Sequence, residues 1–381
     1  MLEPLSFETL CSATVPLRGT FRIESAGGDI DFGLLECIDH EITICDSTLG
    51  TLRFDGFRGH VALDDCHIKK IVLEEDVDAP GHRGAPFQVV NCAVDSVSIH
   101  ARIDDPLMMV KSKFTGITDL SNSVFDVVDM SESNLDYTRF IGSRVGKLKL
   151  DTCRFVKLFD MNGTVAGALS LRRAIVLETF ILPEIHDPEF GSILDFTDLS
   201  INGNVSLVMP IGQAFENRFI RSFSENSNSS GLMALRQVFE INRRYSAADT
   251  TYIYQKRKEC EESRRGDSDA VLTPVQRWTT MFSYYLGGNG MRPSYTFVWL
   301  LVTVFLFALV MTVAGVENPH HITGDTFIDS LYLSVSSLFL GGSLDIKGIG
   351  TEGYFICLVE GMIGLFMMLH FTVILTRKII R

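Results

Sequence analysis

From Ser123 to Phe155 the chain repeats every five residues. Large apolar side chains stand at Phe125, Met130, Leu135, Phe140, Val145, Leu150 and Phe155. Two residues before each stand Ser123, Val128, Ser133, Thr138, Ser143, Leu148 and Cys153. An α-helix places like residues 3.6 apart and a flat strand 2 apart, so neither produces this pattern. A chain that turns a corner every five residues does. Each side then offers one large and one smaller residue to a narrow interior, which predicts a β-solenoid with four short sides. The same register occurs at Ile44, Leu49 and Phe54, at Leu63, Ile68 and Leu73, and at Val89, Val94 and Ile99, with Cys66 and Cys92 in the small inward position.

On these residues the front of the chain resembles the pentapeptide-repeat family. The resemblance implies a right-handed quadrilateral β-helix over about residues 20 to 172, within a first domain of residues 1 to 210. Insertions are expected near Glu74 to Pro86. The family's Ala-Asp/Asn-Leu pattern is heavily eroded, Asn134-Leu135 being one of the few intact pieces, so some sides should bulge. In such an assembly each coil supplies hydrogen-bonding edges to the next, and the ends need caps.

The chain carries a formal charge of −13, unevenly distributed. Residues 1 to 210 hold 18 Lys+Arg against 32 Asp+Glu, residues 211 to 293 hold 12 against 9, and residues 294 to 381 hold 4 against 6. The acidic front argues against ordinary nucleic-acid binding, which needs Lys/Arg to neutralise phosphates. Acidic members of the resembled family imitate duplex DNA, and that is kept as an alternative function. The start, Met1-Leu2-Glu3-Pro4, has no basic and apolar leader pattern, so the front half is expected to stay in the compartment where it is made. The eight cysteines form no Cys-x-x-Cys pair, which argues against a zinc site or a redox motif. Cys66 and His67 are adjacent, and neighbours on a β side point to opposite faces. No Ser/His/Asp or Cys/His set shares a local motif. The reading is therefore no enzyme, no metal and no cofactor, with binding of a cytosolic protein or small molecule left to the solenoid.

After Met209-Pro210 the five-residue rhythm stops, and residues 211 to 293 read as a helical linker. Leu232, Leu235, Val238, Phe239 and Asn242 sit at helical spacing, and Asp249 is expected to cap a second helix running toward Glu262. Thr273-Pro274 starts another helix by the cap-then-proline rule. Trp278, Met281, Phe282 and Tyr285 give that helix an apolar, interfacial face.

The last part changes the class of the protein. Ser294 to Val316 is 23 residues without a charge, long enough to cross a hydrocarbon layer of roughly 30 Å. A second apolar stretch, Tyr354 to Thr376, is interrupted only by Glu360 and His370. Arg277 and Arg292 precede the first span, and Arg377, Lys378 and Arg381 follow the second, so both ends are expected in the cytoplasm. Between the spans, Phe327 to Phe339 is apolar and dotted with serines but too short to cross, which predicts a re-entrant helix.

That order, completed by a glycine-bearing loop ending in Asp345-Ile346 and a second span containing Glu360-Gly361 and Gly364, resembles the two-helix pore module of tetrameric potassium-type channels. Even the lead-in Asn289 to Pro293 resembles bacterial proteins that join such a pore to a cytosolic repeat domain. The resemblance implies a multi-pass protein of the bacterial inner membrane, a homotetramer, and passage of inorganic cations through the bilayer. Aligned on Asp345-Ile346, the family's Thr-Val-Gly-Tyr-Gly filter falls on Leu340, Gly341, Gly342, Ser343 and Leu344. Only the first filter glycine is retained, at Gly342, so the expected pore favours cations without sizing them. Glu360, Gly361, Gly364 and His370 are the candidate residues of the second span. An intramembrane acid is a functional candidate by default, and bracing of the re-entrant helix by hydrogen bonding is the role expected of Glu360. The rival to conduction is a membrane-anchored scaffold.

Overall fold

The computed structural model describes residues 20–24, 27–31, 41–54, 60–74, 87–265, 273, 275–276, 278–279, 293–316, 326–340 and 351–380. The chain divides into two compact units, residues 1–255 and 256–381.

The first unit is a parallel β-solenoid. Successive strands alternate between two sheets, and the main path of each sheet runs through nine strands in chain order. Val124 pairs with Arg144 and Arg144 with Val165, so these coils are 20 and 21 residues long, four sides of five with one extra residue in the second. The strand Arg144–Lys149 is answered in the next coil by two short strands, Val165–Ala166 and Leu169–Ser170. A long strand here is thus two sides joined at a corner. Every large residue of the five-residue series from Phe125 to Phe155 is buried, and so is every smaller one from Ser123 to Cys153. The earlier series, Ile44 to Ile99 with Cys66 and Cys92, is buried as well. The register slips between Phe114 and Ile117 and between Leu135 and Tyr137, the bulged sides that the eroded repeat predicts. His67 pairs with Ala93, 26 residues on, which puts the extra length of that coil between Glu74 and Phe87.

The small inward position is polar for a reason. A column of residues with φ between 47° and 59° turns one corner: Asp46, Asp65, Asn91, Lys111, Glu132, Thr152, Arg173 and Asp198. The residue after each points inward, and where it carries a hydroxyl or thiol it links neighbouring coils. Ser133 Oγ accepts from the Ser112 amide at 3.1 Å and lies 3.0 Å from the Met109 carbonyl, to which it donates. Cys153 Sγ donates to the Met130 carbonyl at 2.9 Å. A second corner repeats the device, with Ser143 Oγ donating to Leu120 O and Thr164 Oγ1 to Phe140 O, each at 2.6 Å.

The downstream end of the solenoid is capped by helices. Helix α1 (Gln213–Asn226) and α2 (Ser229–Ile241) bury Phe219, Phe223, Leu232, Leu235, Val238 and Phe239 in the same core as the coils. The backbone of the last coil finds partners there: Gln237 donates to the Ile201 carbonyl at 2.7 Å, and the Asn242 amide both donates to Val205 O and accepts from Leu207 N. These side chains do what an exposed strand edge requires. The front half of the segment read as a linker is therefore the end of the solenoid's own core. Helix α3 (Tyr245–Arg265) starts at Tyr245, so Asp249 lies inside it and is not its cap. Only Asn242, Arg243 and Arg244 separate α2 from α3, and Arg243, with φ at 57°, makes the turn.

In the second unit, Thr273 and Gln276 form a reciprocal capping box: Thr273 Oγ1 accepts from the Gln276 amide at 3.3 Å while Gln276 Oε1 accepts from the Thr273 amide at 2.9 Å. Val275 and Trp278, in the helical turn that follows, are exposed. Met281, Phe282 and Tyr285 lie outside the described residues. Three longer helices follow, α4 (Pro293–Val313), α5 (Thr326–Leu340) and α6 (Thr351–Ile380).

Candidate functional site

Helices α4 and α6 contain stretches long and apolar enough to cross a membrane, Ser294–Val313 and Gly353–Thr376. Most of each stretch is exposed, 28% of the one and 22% of the other being buried, whereas a core helix of a water-soluble domain buries most of its length. Helix α5 packs on both, and α4 packs on α6. Leu300, Val304, Leu338 and Met367 form one apolar cluster among them, and Met311, Leu333 and Cys357 a second.

The serines of α5 are the polar part of this packing. Ser330, Ser334 and Ser337 recur at helical spacing and are buried. Ser337 Oγ donates to the Cys357 carbonyl of α6 at 2.8 Å. Ser334 Oγ lies 3.0 Å from the Val304 carbonyl of α4 and is hydrogen-bonded to Glu360 Oε1 of α6. Small residues and serines at such contacts are what helices in an apolar medium use to approach and bond.

Glu360 is 0% exposed and is hydrogen-bonded to Ser334 of α5. Gly364 is a close-approach position: a Cβ there would lie 2.7 Å from Leu338 Cγ and 2.9 Å from Leu338 O. Gly361 is looser, its Cβ meeting Ser337 O at 3.4 Å. His370 is half-buried and stacks on Phe366 one turn earlier, ring centroids 6.5 Å apart. It joins neither Glu360 nor the serines in any hydrogen bond among the described residues. Leu340 is the last residue of α5, so this helix runs one residue past the expected end. Gly341, Gly342, Ser343, Leu344 and Asp345 lie outside the described residues. Reading the sequence singled out Glu360 but not Ser334, Ser337 or Val304, whose roles depend on the register between helices.

No group of three or more His, Cys, Asp or Glu residues placed to hold a metal ion occurs among the described residues. Burial pushes the Cys153 thiol up to about 12, and the Cys66 side chain beside it, with burial, pushes Cys92 up as well, whereas the hydrogen bond with Cys92 lowers Cys66. A thiol held protonated is a poor nucleophile.

These features define the class: a parallel β-solenoid with a helical cap, joined in one chain to a helical unit containing two helices of membrane-crossing length. No protein-family model matches the chain, and no curated protein matches it. Among solved structures it is similar to QnrB1, described as a plasmid-mediated fluoroquinolone resistance protein, at 13% identity and a TM-score of 0.23, over 53% of this chain and 96% of that one. At that score the likeness adds nothing to the solenoid assignment, which rests on the strand pairing itself.

Proposed function

We propose that the protein is a cation-permeable membrane channel whose pore unit is regulated through the solenoid. In this reading α4 and α6 cross the bilayer, α5 re-enters it between them, and four copies close around a common axis. Both chain ends then lie in the cytoplasm, where the acidic solenoid offers its outer faces to a protein or small-molecule ligand.

The observation that carries the reading is the placement of α5. A 15-residue apolar helix is too short to cross, yet it packs on both helices of crossing length and is bonded to them through Ser334 and Ser337. A simple membrane anchor has no use for a buried, serine-bonded third helix. In this reading the stretch from Leu340, the last residue of α5, to Asp345 aligns with the filter of potassium-type channels. Leu340 and Leu344 replace a hydroxyl and a glycine that a potassium filter uses, while Asp345 and the C-terminal dipole of α5 favour positive charge.

Purified protein in planar bilayers tests this. Cation conductance with weak discrimination between potassium and sodium is expected, and Asp345→Asn should weaken the preference for cations over anions. Silence from protein shown to be inserted would favour the membrane-anchored scaffold, and anion preference or strong potassium selectivity would refute the filter argument.

A further inference from the structure

We infer that Glu360 is carried as a neutral carboxylic acid, and that its proton, relayed through the Ser334 hydroxyl to the Val304 carbonyl, ties α4, α5 and α6 together. The argument is a count of protons. Ser334 Oγ is within hydrogen-bonding distance of two oxygens, Val304 O and Glu360 Oε1. A serine hydroxyl carries one proton and a main-chain carbonyl carries none. If Ser334 gives its proton to a carboxylate, its 3.0 Å contact with Val304 O is between two acceptors. If it gives the proton to Val304 O, the contact with Glu360 needs a proton from the carboxyl group. A protonated Glu360 gives each of the two contacts a proton of its own.

The surroundings point the same way. Glu360 Oε2 is buried and meets no polar partner among the described residues. An ionised carboxylate with one oxygen unpaired in an apolar setting is a costly arrangement, and a neutral acid far less so. The ionisable residues on the packed elements are few. Helix α4 contributes only Tyr295 and α5 only Asp329 and Tyr332, while α6 itself carries Glu352, Tyr354, Cys357, His370, Arg377 and Lys378. The nearest lysine or arginine along α6, Arg377, is seventeen residues away, about 25 Å at helical rise. No ion pair involving Glu360 occurs among the described residues.

Glu360 is thus a positioning residue: it fixes α5 through Ser334. The inference leans on the membrane reading for the apolar setting and not on conduction, so a silent bilayer recording leaves it standing. The test is infrared spectroscopy of the full chain in lipid at neutral pH. A carboxylic-acid C=O band lost in Glu360→Gln is expected, and the amide of that variant, able to donate and accept in the same place, should preserve the helical signal. Ser334→Ala keeps the acid and removes its acceptor, so the band should persist and move to higher frequency. Identical carboxylic-acid regions in wild type and Glu360→Gln would overturn the protonation. A band unmoved in Ser334→Ala would overturn the relay, and it decides the matter even where Glu360→Gln fails to fold.

Discussion

Truncating one ring of the solenoid tests the five-residue register and its energetics together. Phe155 is 1% exposed, and its ring meets Phe159 and Phe180 edge-on, with both centroid separations at 4.9 Å. Phe155→Ala removes the ring from a core made of stacked coils, which cannot close over the gap without bending two sheets. Such deletions cost about 3 to 5 kcal/mol, the two aromatic contacts being part of that figure. The control is Asp136→Ala: Asp136 sits on an outer face with Lys157 Nζ at 3.0 Å, a solvent-screened pair that contributes little. Because a solenoid opens coil by coil, hydrogen exchange measured by mass spectrometry on the full chain is the suitable assay. At about 1.4 kcal/mol per tenfold, a loss near 4 kcal/mol lowers protection of the strand Arg154–Asp160 about a thousandfold, against less than about tenfold for the control. Equal loss of protection in the two variants would mean that Phe155 does not fill the core and that the register is wrong.

Gly364→Ala should separate α5 from α6 and lower the thermal stability of the purified protein, since its Cβ would fall 2.7 Å from Leu338 Cγ, whereas Gly361→Ala, with 3.4 Å of room, should be tolerated; the reverse order in a melting assay would refute the helix register. Burial alone would raise the Asp195 carboxyl, but hydrogen bonds from Thr197 and Arg172 outweigh it and hold it below its ordinary value. Its contribution to stability is therefore present above the unfolded value and lost as pH falls through the folded one, so Asp195→Asn should destabilise at neutral pH and match the wild type in strong acid; a constant gap in urea midpoints across that range would contradict this. Single cysteines at positions 318 and 381 in a background without native thiols should differ in labelling by an impermeant reagent in intact cells, with the position in place of Asn318 reactive and the one in place of Arg381 protected; the opposite result would invert the topology.

The solenoid was legible because its period is local. Five residues per side fix which side chains point inward, and the burial of Phe125 through Phe155 follows without knowing which coil lies on which. The corner column was not legible in the same way. Lys111, Glu132, Thr152 and Arg173 hold a left-handed backbone that such residues seldom choose alone, and they hold it because the coils on either side leave the chain nowhere else to turn. The capping helices show a similar limit. Phe219 and Phe223, and likewise Leu235 and Phe239, have helical spacing, but nothing local says that they close the end of the solenoid core. In the second unit, composition marks Glu360 as exceptional, while its partner is set by how α5 lies against α4 and α6.

One column of the solenoid contains its own substitution experiment. At the position after the left-handed corner the chain places Cys66, Cys92, Ser112, Ser133 and Cys153 in successive coils, all buried. Thiol and hydroxyl evidently serve there alike, because the requirement is for a small side chain that accepts from the amide of the coil before it and donates to a carbonyl. Ser133→Cys keeps both bonds in weaker form and should change stability little. Ser133→Val fills a similar volume without a polar atom. It leaves the Ser112 amide, which Ser133 Oγ meets at 3.1 Å, and the Met109 carbonyl unpaired inside the core. An unpaired buried polar group costs about 1 to 3 kcal/mol, so the valine variant should lose roughly ten to a hundredfold of exchange protection around residues 109 to 112. If valine is tolerated as well as cysteine, the polar column is a by-product of size and not a source of cohesion between coils.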